Sequence, residues 1–483
     1  MKLIAAFVAM IQLIASCVPP TPSAPPNAEL PQVYRGTASA ESSLGNVPWR
    51  KLYDDPVLQG LIERALVKNY DVELAYTSIL EAEAQLGITA ADQSLFVNGI
   101  IAAPYLVTTG SKPPGTPETQ FSPEAGIAAS YQVDLFGKLA SATGSARDTL
   151  MSTEAAKNTV LATVVAQVAS AYFQLRELDE VLDFTQSSIK ARQESLRLMT
   201  LRVQGGESSL QDQRQAEQSL YEVTQNLPAV RQSIAATENA LSVLTGDYPH
   251  DIARGLPLEQ QINMPQVPPA GVASDLLQRR PDIQQAEYSI AAAAGNVDVA
   301  RKLLYPSITL GGTAAIGGQV STGLYPNEPH ALASLAAVNN VFYGPLGLFS
   351  ILPQLLAPIF NGGKIRSQIH LAQAQQQGTA ISYLQTVHRA FEEVSDDVTA
   401  YDEQRLRTEQ LGLYLTSSLD SERLANVRYD NGFTPYLEVL DAQTRSYQAQ
   451  TDFAQGQLNE RLALVQLYLA LGGGWQSEQP SQQ

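Results

Sequence analysis

Apolar residues along this chain return at intervals of three and four over unusually long stretches. From Lys138 to about Val203, and again from Lys364 to Tyr429, 66 residues run without a proline. In the first stretch Leu175, Leu178, Val181, Leu182, Ile189 and Leu196 keep the spacing; in the second Ile381, Leu384, Val387, Phe391, Val394 and Val398 do. At 1.5 Å per residue each helix would span about 100 Å. A globular core has no use for such lengths, so the pattern predicts long helices packed side by side. Each ends at a Gly-bearing turn and returns as a second helix, Leu210 to Thr245 and Tyr436 to Leu471. A further helical pattern runs from Asp54 to Asp92.

The two turns share one layout. "RYDNGFTPYLEVLDAQ", from residue 428, stops a helix at Asn431-Gly432 and restarts it with Thr434 as N-cap and Pro435 as first helical residue. "RVQGGESSLQDQRQAE" lies 226 residues earlier, with Arg202 over Arg428, Gly206 over Gly432 and Ala216 over Ala442. Ser208-x-x-Gln211 reads there as a capping box. A period near half the length points to an internal duplication.

A different pattern interrupts the helices. From Leu303 to Gly363 the only formal charge is Glu328, yet Gly, Pro, Ser and Thr exclude a membrane helix. "YPSITLGGTAAIGG" and "GPLGLFSILPQLLAPIF" read as strands around a long loop, and "SLFVNGIIAAPYLV" with "FSPEAGIAASYQVDLF" is their weaker copy. These four strands have about the length that crosses an outer membrane. An open four-stranded sheet cannot sit in lipid, because its edge groups have no partners. Several chains must therefore share one barrel, and the hairpins below must close into a tube around a pore. The uncharged stretch 158–175 reads as a buried helical seam and not as a membrane span, because Gln167, Ser170 and Gln174 interrupt it.

Composition then removes alternatives. A net charge of −17 and the absence of any basic stripe exclude a nucleic-acid partner. The sole cysteine, Cys17, follows Lys2, an apolar run from Leu3 to Ala15, and small residues, which is the layout of a signal peptide. Ile14-Ala15-Ser16-Cys17 resembles a bacterial lipobox, so Cys17 is expected to carry lipid, with an ordinary signal and an incidental cysteine as the alternative. Val18 in place of Asp favours sorting to the outer membrane, as in other bacterial lipoproteins. A Pro-rich tether follows. His250, His330, His370 and His388 have no metal spacing, and no nucleophile or phosphate-loop motif occurs, so neither an enzyme nor a cofactor is expected. Glu392-Glu393 and Asp396-Asp397 read as a solvated helix face.

Four stretches, in order, together with the two tips, carry a family resemblance: "VPWRKLYDDPVLQGLIERAL", "YQVDLFGKL", "LLQRRPDIQQAEYSIAAAAGNVDVARKLLYPSITLGG" and "PIFNGGKI". Together, from about residue 47 to 472, they resemble the TolC-like outer-membrane factors, in particular the lipoprotein branch serving efflux pumps. The resemblance implies a mixed α and β membrane protein with a periplasmic α-barrel and a homotrimer sharing a twelve-stranded β-barrel. Its implied partners are a periplasmic adaptor and an inner-membrane transporter of the resistance-nodulation-division type. The implied division is a signal peptide 1–16, a lipidated tether 17–48, repeats 49–270 and 271–472, and a flexible tail 473–483. A TolC-like channel for type I protein secretion would have a physically similar duct and stays open as an alternative.

The resemblance also implies a gate at the tips. Asp441 matches an acidic ring, Leu437 an apolar constriction, and Tyr429 a tyrosine that holds the closed state. Glu438 and Asp441, at i and i+3, share a face that can point at the axis. Threefold symmetry would make rings of carboxylates that draw in cations. The plain alternative is that both are solvated first-turn acids favoured by the helix dipole. Some efflux members have Arg three residues after the Asp; this chain has Thr444 there and Arg445 one position on. Gly205, Gly206, Asn431 and Gly432 form the tips expected to meet the adaptor. Arg279-Arg280-Pro281-Asp282 and the junction glycines are expected to serve the fold.

Overall fold

The computed structural model describes residues 26, 43–103, 105–107, 119–121, 124–262, 271, 273–317, 340–344 and 347–476. Cys17, the signal peptide, most of the tether, Glu328 and His330 lie outside the described residues. In chain order the longer elements are α1 (Pro56–Lys68), α2 (Tyr70–Ala91), β1 (Phe96–Ala102), β2 (Tyr105–Val107), β3 (Thr119–Phe121), β4 (Glu124–Val133), α3 (Lys138–Gln204), α4 (Leu210–Thr224), α5 (Asn226–Leu244), α6 (Pro281–Lys302), β5 (Ser307–Gly317), β6 (Asn340–Gly344), β7 (Gly347–Leu356), α7 (Lys364–Asp430) and α8 (Tyr436–Ala470). The proline-free stretches form single helices of 67 residues each. The chain divides into two compact units.

The first unit comprises Met1–Pro26, Leu80–Ser152 and Glu287–Ser382. Its sheet is antiparallel in the order β1-β4-β5-β7-β6, and its four long strands fall within the four segments read as strands. β6 adds a short outer edge, and β2 with β3 makes a separate two-stranded ribbon. At Gly126 any Cβ would run into the backbone of Ala314 and Ala315 on β5, which explains the missing side chain. Pro353 pairs with Leu310, beyond the last described pair of β6 with β7, Asn340 with Ile351. Where strand meets helix, Gly137 has φ 71° and Gly363 has φ 86°, and Phe136 stacks on Tyr305 with ring centroids 4.8 Å apart.

The second unit comprises Asn27–Ile79, Thr153–Ala286 and Tyr383–Gln483. Its core holds Tyr53, Leu58, Ile62, Tyr172, Phe173, Leu258, Leu276 and Ile283, all essentially inaccessible. Val164, Val165, Val168 and Ala169 are buried too, as a helical seam requires, and no described helix is long and apolar enough to cross a membrane. At the centre of this packing sits Asp55, fully buried. It caps α1 through the Val57 N–H at 2.8 Å and accepts from the Tyr172 hydroxyl (3.0 Å), the Leu256 N–H (2.8 Å) and Gln261 Nε2 (2.7 Å). A buried carboxylate needs such saturation. Trp475, just beyond α8, donates its ring N–H to the carbonyls of Gly472 and Arg279.

The structure corrects four expectations. The 54–92 pattern is two helices, because Asn69 ends α1 and its Oδ1 accepts from the Asp71 and Val72 N–H groups to start α2. The helix expected from Leu210 to Thr245 breaks at Gln225, where Pro228 supplies no N–H and its ring crowds the preceding turn. Ser208 stands one residue outside the cap; Ser209 and Asp212 form the capping box. Glu392 and Asp396 are exposed, but Glu393 and Asp397 are half-buried. Arg280 reaches Glu393 at 2.7 Å while holding Asp282 and the Ala470 carbonyl. Burial, then the neighbouring Glu393 and Asp396, push the Asp397 carboxyl up to about 6.

Candidate functional site: the paired hairpin tips

Both tips lie in the second unit and end their long helices with the same hydrogen bonds. At the first, the Glu207 N–H donates to the Arg202 carbonyl (2.8 Å) and the Gly206 N–H to Val203 (3.1 Å). At the second, Phe433 donates to Arg428 (2.9 Å) and Gly432 to Tyr429 (2.9 Å). This is the Schellman pairing, which needs a left-handed residue after the helix. Gly206 has φ 76° and Gly432 has φ 75°. The duplication therefore holds at the level of individual backbone bonds. The second return helix starts one residue later than expected: Pro435 is the cap and Thr434 donates its hydroxyl to Glu438.

Beneath the turns, Met199 and Ala216 of the first hairpin pack with Ala425, Tyr436, Val439, Leu440 and Ala442 of the second, with Leu196 and Tyr429 alongside. The Tyr429 and Tyr436 rings lie 5.3 Å apart. Burial raises the Tyr436 hydroxyl above its usual range. Arg202 crosses from one hairpin to the other, its guanidinium 4.9 Å from the Tyr429 ring centre and 3.8 Å from Asp430. Further up, Arg192 is 2% exposed and donates through Nη1 to the Ser219 carbonyl and hydroxyl, both at 2.7 Å. Burial lowers its proton affinity.

Three of the four expected gate residues share one exposed face. Leu437, Glu438 and Asp441 are exposed, whereas Val439, Leu440 and Ala442 turn into the cluster. Each acid has a cation: Arg428 reaches Glu438 at 3.1 Å and Arg445 reaches Asp441 at 2.9 Å. Arg445 thus supplies from i+4 the charge that Thr444 lacks. Tyr429 lies off this face, packed at the junction of the two hairpins. Gly205, Gly206, Asn431 and Gly432 are all exposed at the turns. Sequence reasoning missed Arg202 as a strap between hairpins and Arg192 as a buried tie; only the repeated Arg202 and Arg428 hinted at a role. No group of metal-ligating side chains occurs among the described residues.

Comparison with known proteins agrees with this architecture. The profile of the outer membrane efflux protein family matches residues 61–247 and 272–473, once for each half. The probable efflux pump outer membrane protein TtgC of Pseudomonas putida is 34% identical over 483 residues, covering 96% of this chain and 93% of TtgC. The probable outer membrane lipoprotein SilC of Salmonella typhimurium is 28% identical, covering 97% of this chain and 98% of SilC. Among solved structures, the open state of the Neisseria gonorrhoeae MtrE outer membrane channel superposes with a TM-score of 0.82 at 26% identity, over 95% of this chain and 99% of MtrE. The fold is that of the TolC-like channels, and the chain belongs to the outer membrane efflux protein family.

Proposed function

We propose that three copies of this outer-membrane efflux channel protein close into one passive duct, gated at its periplasmic end by the hairpin tips. The observation that carries the proposal is the sheet. Its four long strands pair antiparallel with each other, but β1 has a partner on one side alone among the described residues. Lipid does not tolerate that edge. Three chains supply twelve long strands, enough to close a barrel. Native mass spectrometry in detergent tests this: a trimer is expected, and a stable monomer or dimer as the sole species would refute it.

At the hairpin tips the duct must be shut at rest. Leu437, Glu438 and Asp441 on three copies would line the constriction, with Tyr429 and Arg202 holding the hairpins together behind it. The paired arginines change what the acids do. Exposed ion pairs contribute about 0–1 kcal/mol each, so Arg428 and Arg445 can leave Glu438 and Asp441 as the helices tilt. Opening then needs no strong contact to break on the gate face, while the apolar cluster keeps each hairpin pair intact.

The tips at Gly205, Gly206, Asn431 and Gly432 would meet a periplasmic adaptor, which joins the duct to a resistance-nodulation-division transporter in the inner membrane. Cys17 would anchor the mature chain by lipid. TtgC is named for an efflux pump and not for protein secretion, which favours small molecules as cargo.

A further inference from the structure

A cavity of about 300 Å³ lies in the first unit where three strands meet the long helices, at the ends of β4 and β7 and the start of β5. Its walls are of two kinds. Leu135, Phe136, Leu356 and Pro358 form an apolar side, and Lys138 and Lys302 bring two ammonium groups to it. Lys302 Nζ donates to the Gly137 carbonyl (3.1 Å) and the Ser141 hydroxyl (2.6 Å), both neutral. Neither lysine has a carboxylate partner among the described residues. Asp134, the carboxylate in the lining, already accepts from the Ala140 N–H at 2.8 Å as a helix cap.

The surroundings repeat the theme. A chain with a net charge of −17 places Lys138, Arg301, Lys302, Lys364 and Arg366 within about five residues of these three junctions, against Asp134 and Asp298. Beside them Ile359 is 97% exposed and Phe360 91%, with Leu135 and Leu304 exposed as well. An apolar belt ending in a band of cations is the arrangement that meets a headgroup layer, with lysine stems lying along apolar surface and their charges in the polar zone.

We propose that this cavity holds an anionic phospholipid of the periplasmic leaflet, its phosphate on Lys138 and Lys302 and its upper acyl chain against Leu135 and Leu356. Two things name the occupant. The apolar side is continuous with strands that end at the hydrocarbon boundary, and the net charge of the lining is positive, two lysines against Asp134. The inference rests on those strands crossing the outer membrane. Two cations near an anionic surface favour it by roughly ten- to thirtyfold over a zwitterionic one.

The test is native mass spectrometry of the full-length protein in detergent with equal phosphatidylglycerol and phosphatidylethanolamine. Phosphatidylglycerol should be retained at about ten times the occupancy of phosphatidylethanolamine. Lys138→Gln, which breaks no hydrogen bond in the structure, should lower that preference severalfold, and Lys138→Gln with Lys302→Gln should abolish it. Inorganic phosphate at millimolar concentration should not displace the lipid. Equal retention of the two lipids by the wild type, an unchanged preference in both variants, or displacement by phosphate alone would overturn the proposal. The same spectrum reads the oligomer, so a protein that is not trimeric but keeps the preference contradicts the assembly and supports the lipid site.

Discussion

Gly432→Ala isolates the conformational cost of the second tip. A Cβ built at Gly432 meets nothing within 4 Å, and the residue sits at φ 75°. Steric overlap therefore contributes nothing, and the left-handed backbone costs about 1–2 kcal/mol with an L side chain. Because 1.4 kcal/mol is a factor of ten, local opening of the turn should rise about 5- to 30-fold. The amides that report it are Gly432 and Phe433, which close the turn onto Tyr429 and Arg428. Hydrogen exchange at these two amides should accelerate by that factor, with exchange in the Met199 cluster unchanged. Gly206→Ala should behave alike at the first tip, where the surroundings are equally open. Gly246→Ala is the contrast: its Cβ would collide with the backbone and side chain of Lys68, so it should lower folded yield and not merely loosen a turn. Exchange at Phe433 indistinguishable from wild type would refute the reasoning.

Three further outcomes follow from the structure. Asp55→Ala leaves the Tyr172 hydroxyl and the Leu256 N–H without their acceptor, while Gln261 Nε2 keeps the Leu256 carbonyl, and should destabilise the second unit by about 1–3 kcal/mol for each buried donor left unpaired, seen as a large drop in thermal unfolding temperature; a change under a few degrees would contradict the role of Asp55. Glu177 is buried, and burial followed by Glu180 pushes its carboxyl up to about 7; the folded state then binds the proton more tightly than the unfolded one, so its contribution is present below about pH 4.5 and lost as pH rises to about 7. Glu177→Gln should accordingly raise the melting temperature at pH 8 and leave it unchanged near pH 4, and equal shifts at both would dismiss the burial argument. Cys17→Ser should abolish acylation, and the intact mass of the mature wild-type chain should carry the acyl groups; an unmodified N-terminus would end the anchor claim.

What the sequence disclosed divides by range. The long helices were legible because 66 residues without proline and with three-four spacing admit no other reading, and the tips because Gly206 and Gly432 are local, left-handed requirements. The strands were legible from the missing charges between Leu303 and Gly363. Short-range detail was harder: Ser208 and Ser209 are chemically equal candidates for a cap, and the backbone chose the second. Pro228 was visible, but its effect on the helix competed with an intact apolar period. Contacts between distant segments were invisible. Asp55 meets Gln261 across 206 residues and Arg280 meets Glu393 across 113, so the latter looked like one more solvated acid. The pairing of Glu438 with Arg428 belongs to the same class, although only 10 residues part them, because the turn decides their approach.

The claim that the duct is shut by the acids and leucine at the hairpin tips is tested most directly by planar-bilayer recording of wild type against Glu438→Ala with Asp441→Ala. Wild type should give small, cation-preferring currents. The double variant should give larger currents with a weaker cation preference, and because Arg428 and Arg445 remain without their partners, the preference should lean toward anions. Conductance and ion selectivity unchanged in the double variant would contradict the gate.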